Sequence, residues 1–593
     1  MCGIVGYIGK RRAQPILLGC LSKLEYRGYD SCGIAIGGEN LEIYKDAVRV
    51  KALEKMMPSF DGTAGIGHTR WATHGEPSRI NAHPHADCTG RVAVVHNGVI
   101  NNFQTLRDRL TAEGHTLSSQ TDTEVIAHLI EKYYNGSFEK AVRLAVAEID
   151  GSYTMIAVMA GEAGIIAARK ESPLTIGIGD EENFLASDVP ALLDYTSRVI
   201  YLEDGDIALI SPDKVEIRNH GETIKREEHK ILWSVEDAQK AGYEHFMLKE
   251  IHEQPRVIRD TLSEYLAMGE PAADLTMGDS ELEGILILGC GTSYHAGLLG
   301  KYIIEGLLKV PVRAEQASEF NYCGHASVRN KAIVISQSGE TTDALISIKN
   351  LKEEGCRVIA ITNVVGSTIS RLADRTIYTR AGPEISVAAT KTFIAQLIAL
   401  YWLALPYSRV DIKKLDDLVM GIRQLPVKVQ RVLDNEEVIA DYARQLARYD
   451  NMYFIGKGVN YPAALEGALK LKEISYVHAE GYASGELKHG PFALLGEKTP
   501  VVAIVARDNT YEAIITSIKQ IKARKSPLLA LVSEEDETIP ELADMVIHVP
   551  GLDPLFSPVV NSVALQLLAY YIAREKGCPI DFPRHLAKTV TVE

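Results

Sequence analysis

The sequence predicts an α+β domain followed by two α/β subdomains, each built as a doubly wound parallel sheet. Three observations carry this prediction. At 593 residues the chain is too long for a single hydrophobic core. Its first half, to about residue 215, sets short apolar runs between turn residues without regular strand–helix alternation. Its second half alternates strand and helix, and does so twice with the strands in the same order. The expected boundaries are 2–217 for the first domain and 218–273 for a linker and connecting helix. The two subdomains are expected at 274–411 and 443–584, followed by a C-terminal tail at 585–593.

In the first half, the runs Arg91–His96 and Tyr153–Val158 are apolar and bounded by Gly, Asn and Asp, as strands are. Helical spacing appears at Ala13–Leu24 and at Asp122–Tyr134. The second of these opens with Thr121-Asp122-Thr123-Glu124, which reads as a capped N-terminus. A polar stretch from Lys214 to Lys230 reads as linker, and a helical pattern from Ala238 to Leu266 begins the next unit. In the second half, Ile285–Leu288 followed by Gly289-Cys290-Gly291 is matched by Met452–Ile455 followed by Gly456-Lys457-Gly458. The runs at 332–336, 357–361 and 376–378 are matched in turn by those at 501–505, 527–531 and 545–547. Each copy therefore supplies four buried strands, and ligands of such sheets bind beyond the carboxyl ends of the strands.

Composition excludes several function classes. A net charge of -15 leaves no basic face for nucleic acid. No run reads as a membrane span, and the N-terminus lacks the regions of a signal peptide, so a cytoplasmic location is expected. The eight cysteines are scattered without a CxxC pair or a Cys–His cluster, so neither a disulfide framework nor a zinc site is expected. Gly289-x-Gly291 lacks the third glycine of a dinucleotide fingerprint, because position 294 is Tyr294, and no Walker lysine is present. No cofactor and no metal are expected.

Two features point to chemistry. Met1 precedes Cys2, a residue small enough that the initiator methionine is expected to be trimmed. The product would carry a thiol of pKa about 8.5 beside an α-amine of about 8, a nucleophile and its base on one residue. The second feature is Ser336-Gln337-Ser338-Gly339-Glu340-Thr341-Thr342, a hydroxyl-rich turn after the second strand of copy one. Hydroxyls and N–H groups at such a helix start converge on a phosphate, and Thr292 and Ser293 at the first turn can join them. Copy two has Ala506-Arg507-Asp508-Asn509-Thr510 at the equivalent place, where Asp508 would repel an anion. Copy one is expected to bind, and copy two to serve as scaffold and side-chain donor.

Motifs along the whole chain resemble a known family. They are Cys2-Gly3-Ile4-Val5-Gly6, Tyr26–Ser31, His68–Gly75, His96-Asn97-Gly98, Ser336–Thr341, Glu480–Pro491 and the tail Leu586–Glu593. The first half resembles an N-terminal-nucleophile (Ntn) glutamine amidotransferase domain, and the second a pair of sugar-isomerase (SIS) domains. Together they resemble the glutamine–fructose-6-phosphate aminotransferases. The resemblance implies transfer of the glutamine amide nitrogen to fructose 6-phosphate with isomerisation, giving glucosamine 6-phosphate and glutamate. Cys2 would attack the amide, with its own amine as base, and Asn97 with the Gly98 N–H would form the oxyanion hole. Arg70 and Asp122 would hold the two charged ends of glutamine, with Trp71, Thr73 and His74 beside them and Trp71 as a gate. Ser336, Gln337, Ser338 and Thr341, with Thr292, Ser293, Val387 and Lys470, would form the sugar-phosphate site. Lys588 would form an imine with the ketose, Glu473 would move a proton between C1 and C2, and His489 would open the ring.

The chain departs from the family at Val387-Ala388-Ala389-Thr390-Lys391, where relatives often have serine at the position of Ala389. The resemblance also implies a homodimer through the SIS half, with His489 contributed across it, and neither nucleic acid nor membrane as partner. Two other readings stay open at this point: the same architecture acting on another sugar phosphate, and a non-catalytic SIS sensor of sugar phosphates.

Overall fold

Alternation along the central strands of the first half sends successive side chains to two different cores. A computed structural model describes residues 2–72, 75–231, 239–267, 284–322 and 331–589. It divides into two units, Met1–Ala238 with Thr589–Glu593, and Gln239–Lys588.

The strands of the first unit are β1 (Gly3–Ile8), β2 (Ser31–Gly37), β3 (Glu42–Asp46), β4 (Ala64–Arg70), β5 (His85–Ala86), β6 (Val92–Ile100), β7 (Gly151–Met159) and β8 (Ile165–Lys170). They continue with β9 (Thr175–Ile178), β10 (Asn183–Ala186), β11 (Arg198–Tyr201), β12 (Asp206–Ile210), β13 (Val215–Asn219), β14 (Glu222–Ile224) and β15 (Glu228–Lys230). Among the described residues they form an eight-stranded sheet, β15-β11-β9-β10-β1-β4-β2-β3, and a seven-stranded sheet, β14-β13-β12-β8-β7-β6-β5. Ala93 and Val95 of β6 point into a core shared with Ile4, Ile66 and Leu185 of the other sheet. Val92 and Val94 point the opposite way, onto α3 (Phe103–Ala112), α4 (Glu124–Tyr133) and α5 (Phe138–Ala147) through Leu106, Val125, Leu129 and Val142. On the outer side of the other sheet, α1 (Ala13–Ser22) packs on β1 and β4.

Two local expectations are corrected. The polar stretch 214–230 is not a linker but the strands β13, β14 and β15. Their side chains are mostly half-buried or exposed, so these strands at or next to the sheet edges give no apolar run to read. The segment before α4 does not form the expected cap: the Thr123 N-cap makes no side-chain cap bond. Glu124 instead accepts Ser118 N–H at 2.8 Å and Ser119 N–H at 2.7 Å, and Asp122 is turned elsewhere.

The second unit holds two five-stranded sheets whose paired strands all run parallel. The first contains β16 (Ile285–Gly289), β17 (Val312–Gln316), β18 (Lys331–Ile335), β19 (Arg357–Thr362) and β20 (Arg375–Tyr378), in the order β17-β16-β18-β19-β20. The second contains β21 (Asn451–Gly456), β22 (His478–Ala483), β23 (Val501–Ile504), β24 (Leu528–Ser533) and β25 (Met545–Val549), in the order β22-β21-β23-β24-β25. This is the doubly wound order in which the switch point lies beside the first strand. Each copy has the four expected strands and one more, β17 or β22, at the sheet edge, where one side needs no partner and the sequence can be polar.

The helical pattern at 238–266 resolves into α6 (Phe246–His252) and α7 (Gln254–Ala267). The helices of copy one are α8 (Thr292–Leu308), α9 (Ala317–Phe320), α10 (Thr342–Glu353), α11 (Thr368–Leu372) and α12 (Lys391–Ala404). A connector of α13 (Ile412–Leu433) and α14 (Glu436–Leu446) leads to α15 (Tyr461–Ser475), α16 (Tyr511–Lys522) and α17 (Ser557–Glu575) of copy two. Among the described residues, Pro554–Glu575 is long and apolar enough to cross a membrane by length and composition alone. Most of its residues are buried inside the protein, where it is a core helix of this unit.

Candidate active sites

The first candidate site grows from the pairing of β1 with β4. Gly3 lies opposite Thr69, which brings Cys2 beside Arg70 and Trp71 at the end of β4. The Trp71 N–H donates to Cys2 Sγ at 3.1 Å, and the thiol reaches the Trp71 carbonyl at 3.5 Å. This loop can pass so close only because residue 28 is glycine: a Cβ there would lie 2.7 Å from both Arg70 C and Trp71 N. Burial pushes the Cys2 thiol up, opposed by the charge of the chain's N-terminus, the Trp71 N–H and Arg70. The resting nucleophile is thus a thiol that needs a base. Met1 lies outside the described residues, as do Thr73 and His74.

β6 brings in the next pair. Asn97 Nδ2 donates to the Cys2 carbonyl at 2.8 Å. Its Oδ1 is 3.2 Å from His68 Nε2, which is also 3.1 Å from the His96 carbonyl. A carbonyl only accepts, so His68 Nε2 carries the proton and the Asn97 amide is held with its NH₂ toward Cys2. Gly98 follows at φ +132°, and a Cβ there would sit 2.1 Å from the Ser152 carbonyl, so only glycine fits. His68 stacks on His83 with ring centroids 4.0 Å apart, and His83 meets His85 edge-on at 4.7 Å. Burial pushes His68 down to about 3 and holds His83 and His85 well below the ordinary range, so this triplet is neutral. His68 was visible only as a letter inside the motif; its part in aiming Asn97 is legible only in three dimensions.

Arg70 and Asp122 are both buried. Arg70 donates to the Gly75 carbonyl at 3.1 Å, and its pKa is lowered by burial against the opposing pull of Cys2, Asp122 and Asp30. Asp122 Oδ2 accepts the Ile100 N–H at 3.0 Å. Arg70 acts on the thiol as a cation and is itself drawn by Asp122, while the carboxylate felt at the thiol is Asp30. The Trp71 ring meets Tyr29 edge-on at 5.8 Å.

The second candidate site belongs to the second unit. After β18, Ser336 Oγ accepts the Gly339 N–H at 3.1 Å and bonds Thr341 Oγ1 at 3.0 Å, while Ser338 Oγ accepts the Glu340 N–H at 3.2 Å. Ser336 and Ser338 are buried, Gln337 and Thr341 half-buried, and the turn opens directly into α10. At the start of α8, Ser293 accepts from Gln396 Nε2 at 3.1 Å. Thr292 joins a network contributed by α15 of copy two: its hydroxyl donates to Glu466 at 3.0 Å and accepts from Lys470 Nζ at 3.1 Å. Lys470 lies 2.6 Å from Glu473 Oε2, a contact of opposite charges without hydrogen-bond geometry, and 3.5 Å from Glu466. Burial would strip the Lys470 proton, but Glu473, Glu466 and Glu384 outweigh it and the pKa is raised.

Lys588 has a side chain only 5% exposed and forms an ion pair with Glu384. Glu384 also accepts Thr390 N–H at 2.9 Å and the Thr392 hydroxyl at 2.7 Å. Lys588 and these donors overcome the burial of Glu384 and hold its pKa below the ordinary value. Burial and the Glu384 charge push neighbouring Glu250 up to about 8. Val387 N–H donates to the Asp581 carbonyl at 3.0 Å, which ties the segment around Ala389 to the chain leading into Lys588. His489 stands apart: it is exposed and makes no side-chain hydrogen bond among the described residues. The last residues of the expected tail, 590–593, lie outside them. Sequence reasoning missed Glu384, Glu466 and His295, the last of which bonds Glu466 at 2.8 Å. Nothing in their spacing marks them.

A family model described as a glutamine amidotransferase domain matches residues 68–194, and one described as a SIS domain matches 281–406 and 445–575. The chain is 48% identical over its full length to the glutamine–fructose-6-phosphate aminotransferase (isomerizing) of Caldanaerobacter subterraneus subsp. tengcongensis, all of which it covers. It is also 48% identical, with both chains fully covered, to the enzyme of the same name from Methanosarcina mazei. The chain belongs to the glutamine–fructose-6-phosphate aminotransferase family. A solved structure of the C-terminal domain of such an aminotransferase from Francisella tularensis is similar to the SIS half. It is 36% identical, covers 58% of this chain and 100% of that one, and gives a TM-score of 0.55. Within this aminotransferase family architecture, Arg70, Asn97 and Asp122 fall inside the matched amidotransferase segment and Lys588 lies beyond both SIS matches.

Proposed function

We propose that the chain transfers the amide nitrogen of L-glutamine to D-fructose 6-phosphate with isomerisation, giving D-glucosamine 6-phosphate and L-glutamate. The observation that carries this reading is the thiol of Cys2 held by the Trp71 N–H, with the Asn97 amide fixed beside it. The freed α-amine of Cys2 takes the thiol proton, and the thiolate attacks the glutamine amide carbon. Asn97 Nδ2 and the Gly98 N–H receive the developing oxyanion. The amine returns its proton to the leaving nitrogen, ammonia departs, and water hydrolyses the thioester to glutamate. Arg70 holds the substrate α-carboxylate and Asp122 its ammonium group.

In the second unit the turn Ser336–Thr341, with Ser293, receives the sugar phosphate. Lys588 forms an imine at C2 of the open-chain ketose, ammonia displaces the lysine, and Glu473 moves the proton from C1 to C2. Lys470 supports this reading by its contact with Glu473 and Thr292. The exposed His489 fits a residue that opens the sugar ring across a homodimer of SIS halves. A cytoplasmic location goes with this soluble substrate pair. Purified protein incubated with glutamine and fructose 6-phosphate should yield glucosamine 6-phosphate. Glutamine hydrolysis without that product would overturn the acceptor assignment. Protein retaining Met1 should bind the sugar but fail to use glutamine, and normal hydrolysis by that form would remove the amine as base.

A further inference from the structure

Away from the groups used above, the first unit gathers four metal-ligating side chains. Cys88 lies between β5 and β6, His115 follows α3, and His128 and Glu131 are one turn apart on α4. Cys88 Sγ is 3.4 Å from His128 Nδ1 and 3.7 Å from His115 Nδ1. On the other side, Glu131 Oε2 is 3.4 Å from His128 Nδ1 and 2.9 Å from His115 Nδ1. All four donor atoms lie within 4.8 Å of one another. Tetrahedral zinc, with Zn–S about 2.3 Å and Zn–N or Zn–O about 2.1 Å, sets sulfur about 3.5 Å from nitrogen and nitrogen about 3.4 Å from oxygen. Three of the four contacts match those separations; only the His115–Glu131 pair is drawn in to hydrogen-bond length.

Hydrogen bonds hold part of this cluster: both imidazoles face Glu131, and the Cys88 N–H donates to Glu131 Oε2 at 3.4 Å. The sulfur nonetheless lies within 3.7 Å of both ring nitrogens, at separations that suit ligands of one ion. The Thr116 N–H also donates to Cys88 Sγ at 3.2 Å, which holds the sulfur in place beside the two imidazoles. A sulfur, two nitrogens and a carboxylate oxygen form a borderline-soft set that suits zinc and not magnesium or calcium.

We propose that Cys88, His115, His128 and Glu131 bind one Zn²⁺ as a closed structural site. The ion fastens the turn before β6 and the segment after α3 to α4, and the Cys88 thiol proton leaves to solvent on binding. The scattered cysteine spacing hid this site, since its ligands come from three separate segments and only His128 and Glu131 are neighbours on one helix.

Cobalt substitution tests it. Full-length protein stripped with a chelator should take up one Co²⁺ per chain, with tetrahedral d–d absorption and a thiolate-to-cobalt charge-transfer band, both lost when Zn²⁺ is added. Cys88 is exposed, so Cys88→Ala should fold; it should lose the charge-transfer band and bind Zn²⁺ about 100-fold more weakly or worse. Glu131→Gln should keep the band while weakening Zn²⁺ binding, and Zn²⁺ should raise the melting temperature of the parent protein more than that of either variant. Absence of cobalt bands, a charge-transfer band that survives Cys88→Ala, or unchanged Zn²⁺ affinity in both variants would overturn the site.

Discussion

Around Cys2 the buried ionisable side chains are three neutral imidazoles with one guanidinium, Arg70, and one carboxylate, Asp122, whereas around Lys588 ammonium groups and carboxylates are paired directly. His68, His83 and His85 are all pushed toward neutrality by burial. In the second unit Lys470 is shared by Glu466 and Glu473, Lys588 meets Glu384, and Lys391 meets Glu253 at 2.7 Å. The difference fits the role proposed for each centre. A thiol attacking an amide would need aimed neutral donors, with charge kept for the two ends of its substrate, while a site for a phosphorylated sugar and a lysine nucleophile would need charges held ready and paired. The duplication sharpens the point: the two SIS copies share one strand order, yet β18 ends in hydroxyls while β23 leads to Asp508, whose Oδ1 accepts the Thr510 hydroxyl at 2.6 Å and its N–H at 2.8 Å. A repeated scaffold supplies the geometry, and asymmetric side chains supply the chemistry.

The largest effect that would break this contrast is expected at Lys470. Lys470→Met leaves the buried Glu466 and the half-buried Glu473 without this cation and should lower stability by about 3–5 kcal/mol, read from urea unfolding of the full chain. A loss no larger than that of a surface lysine would mean the second unit does not depend on paired charge. Next comes Asn97→Ala, which removes one aimed donor. It should lower the rate of glutamine hydrolysis about 100- to 1000-fold with little change in glutamine KM. A raised KM at unchanged kcat would make Asn97 a binding residue.

The smallest and most graded expectation concerns pH, and its sign differs between the units. His68 sits at about 3 when folded against 6.5 when unfolded. The unfolded chain binds the extra proton, so stability is present above about 6.5 and lost as pH falls toward 3. Glu250 is displaced the other way, to about 8 from 4.5. The folded chain keeps that proton, so stability is full below about 4.5 and lost as pH rises through 8. Glu250→Gln should flatten the alkaline limb of the stability profile and leave the acid limb in place. A variant that alters both limbs equally would remove the distinction between the two environments.

The contrast also explains which parts of the protein were legible in the sequence. The buried parallel strands of both SIS copies are continuous apolar runs, because both faces of such a sheet are covered. Cys2 and the hydroxyl turn were legible because their chemistry depends on residues adjacent in the chain. The edge strands β17 and β22 and the strands within 214–230 were not, since an edge needs no apolar signature. Asp122 fits a helix cap as letters, and only the turn of the chain before α4 sends its carboxylate to Ile100 instead. His68, Glu384 and the Cys88 cluster depend on partners from distant segments, which no local spacing records.

The account stands most directly on Lys588 as the residue that takes the sugar, at the other end of the chain from the thiol that supplies ammonia. Borohydride reduction of the protein in the presence of fructose 6-phosphate, followed by peptide mapping, measures this. The account predicts a reduced sugar-phosphate adduct on Lys588, formed whether or not Cys2 is replaced by alanine. An adduct on Lys470 or Lys391, or none at all while fructose 6-phosphate binds, would contradict it.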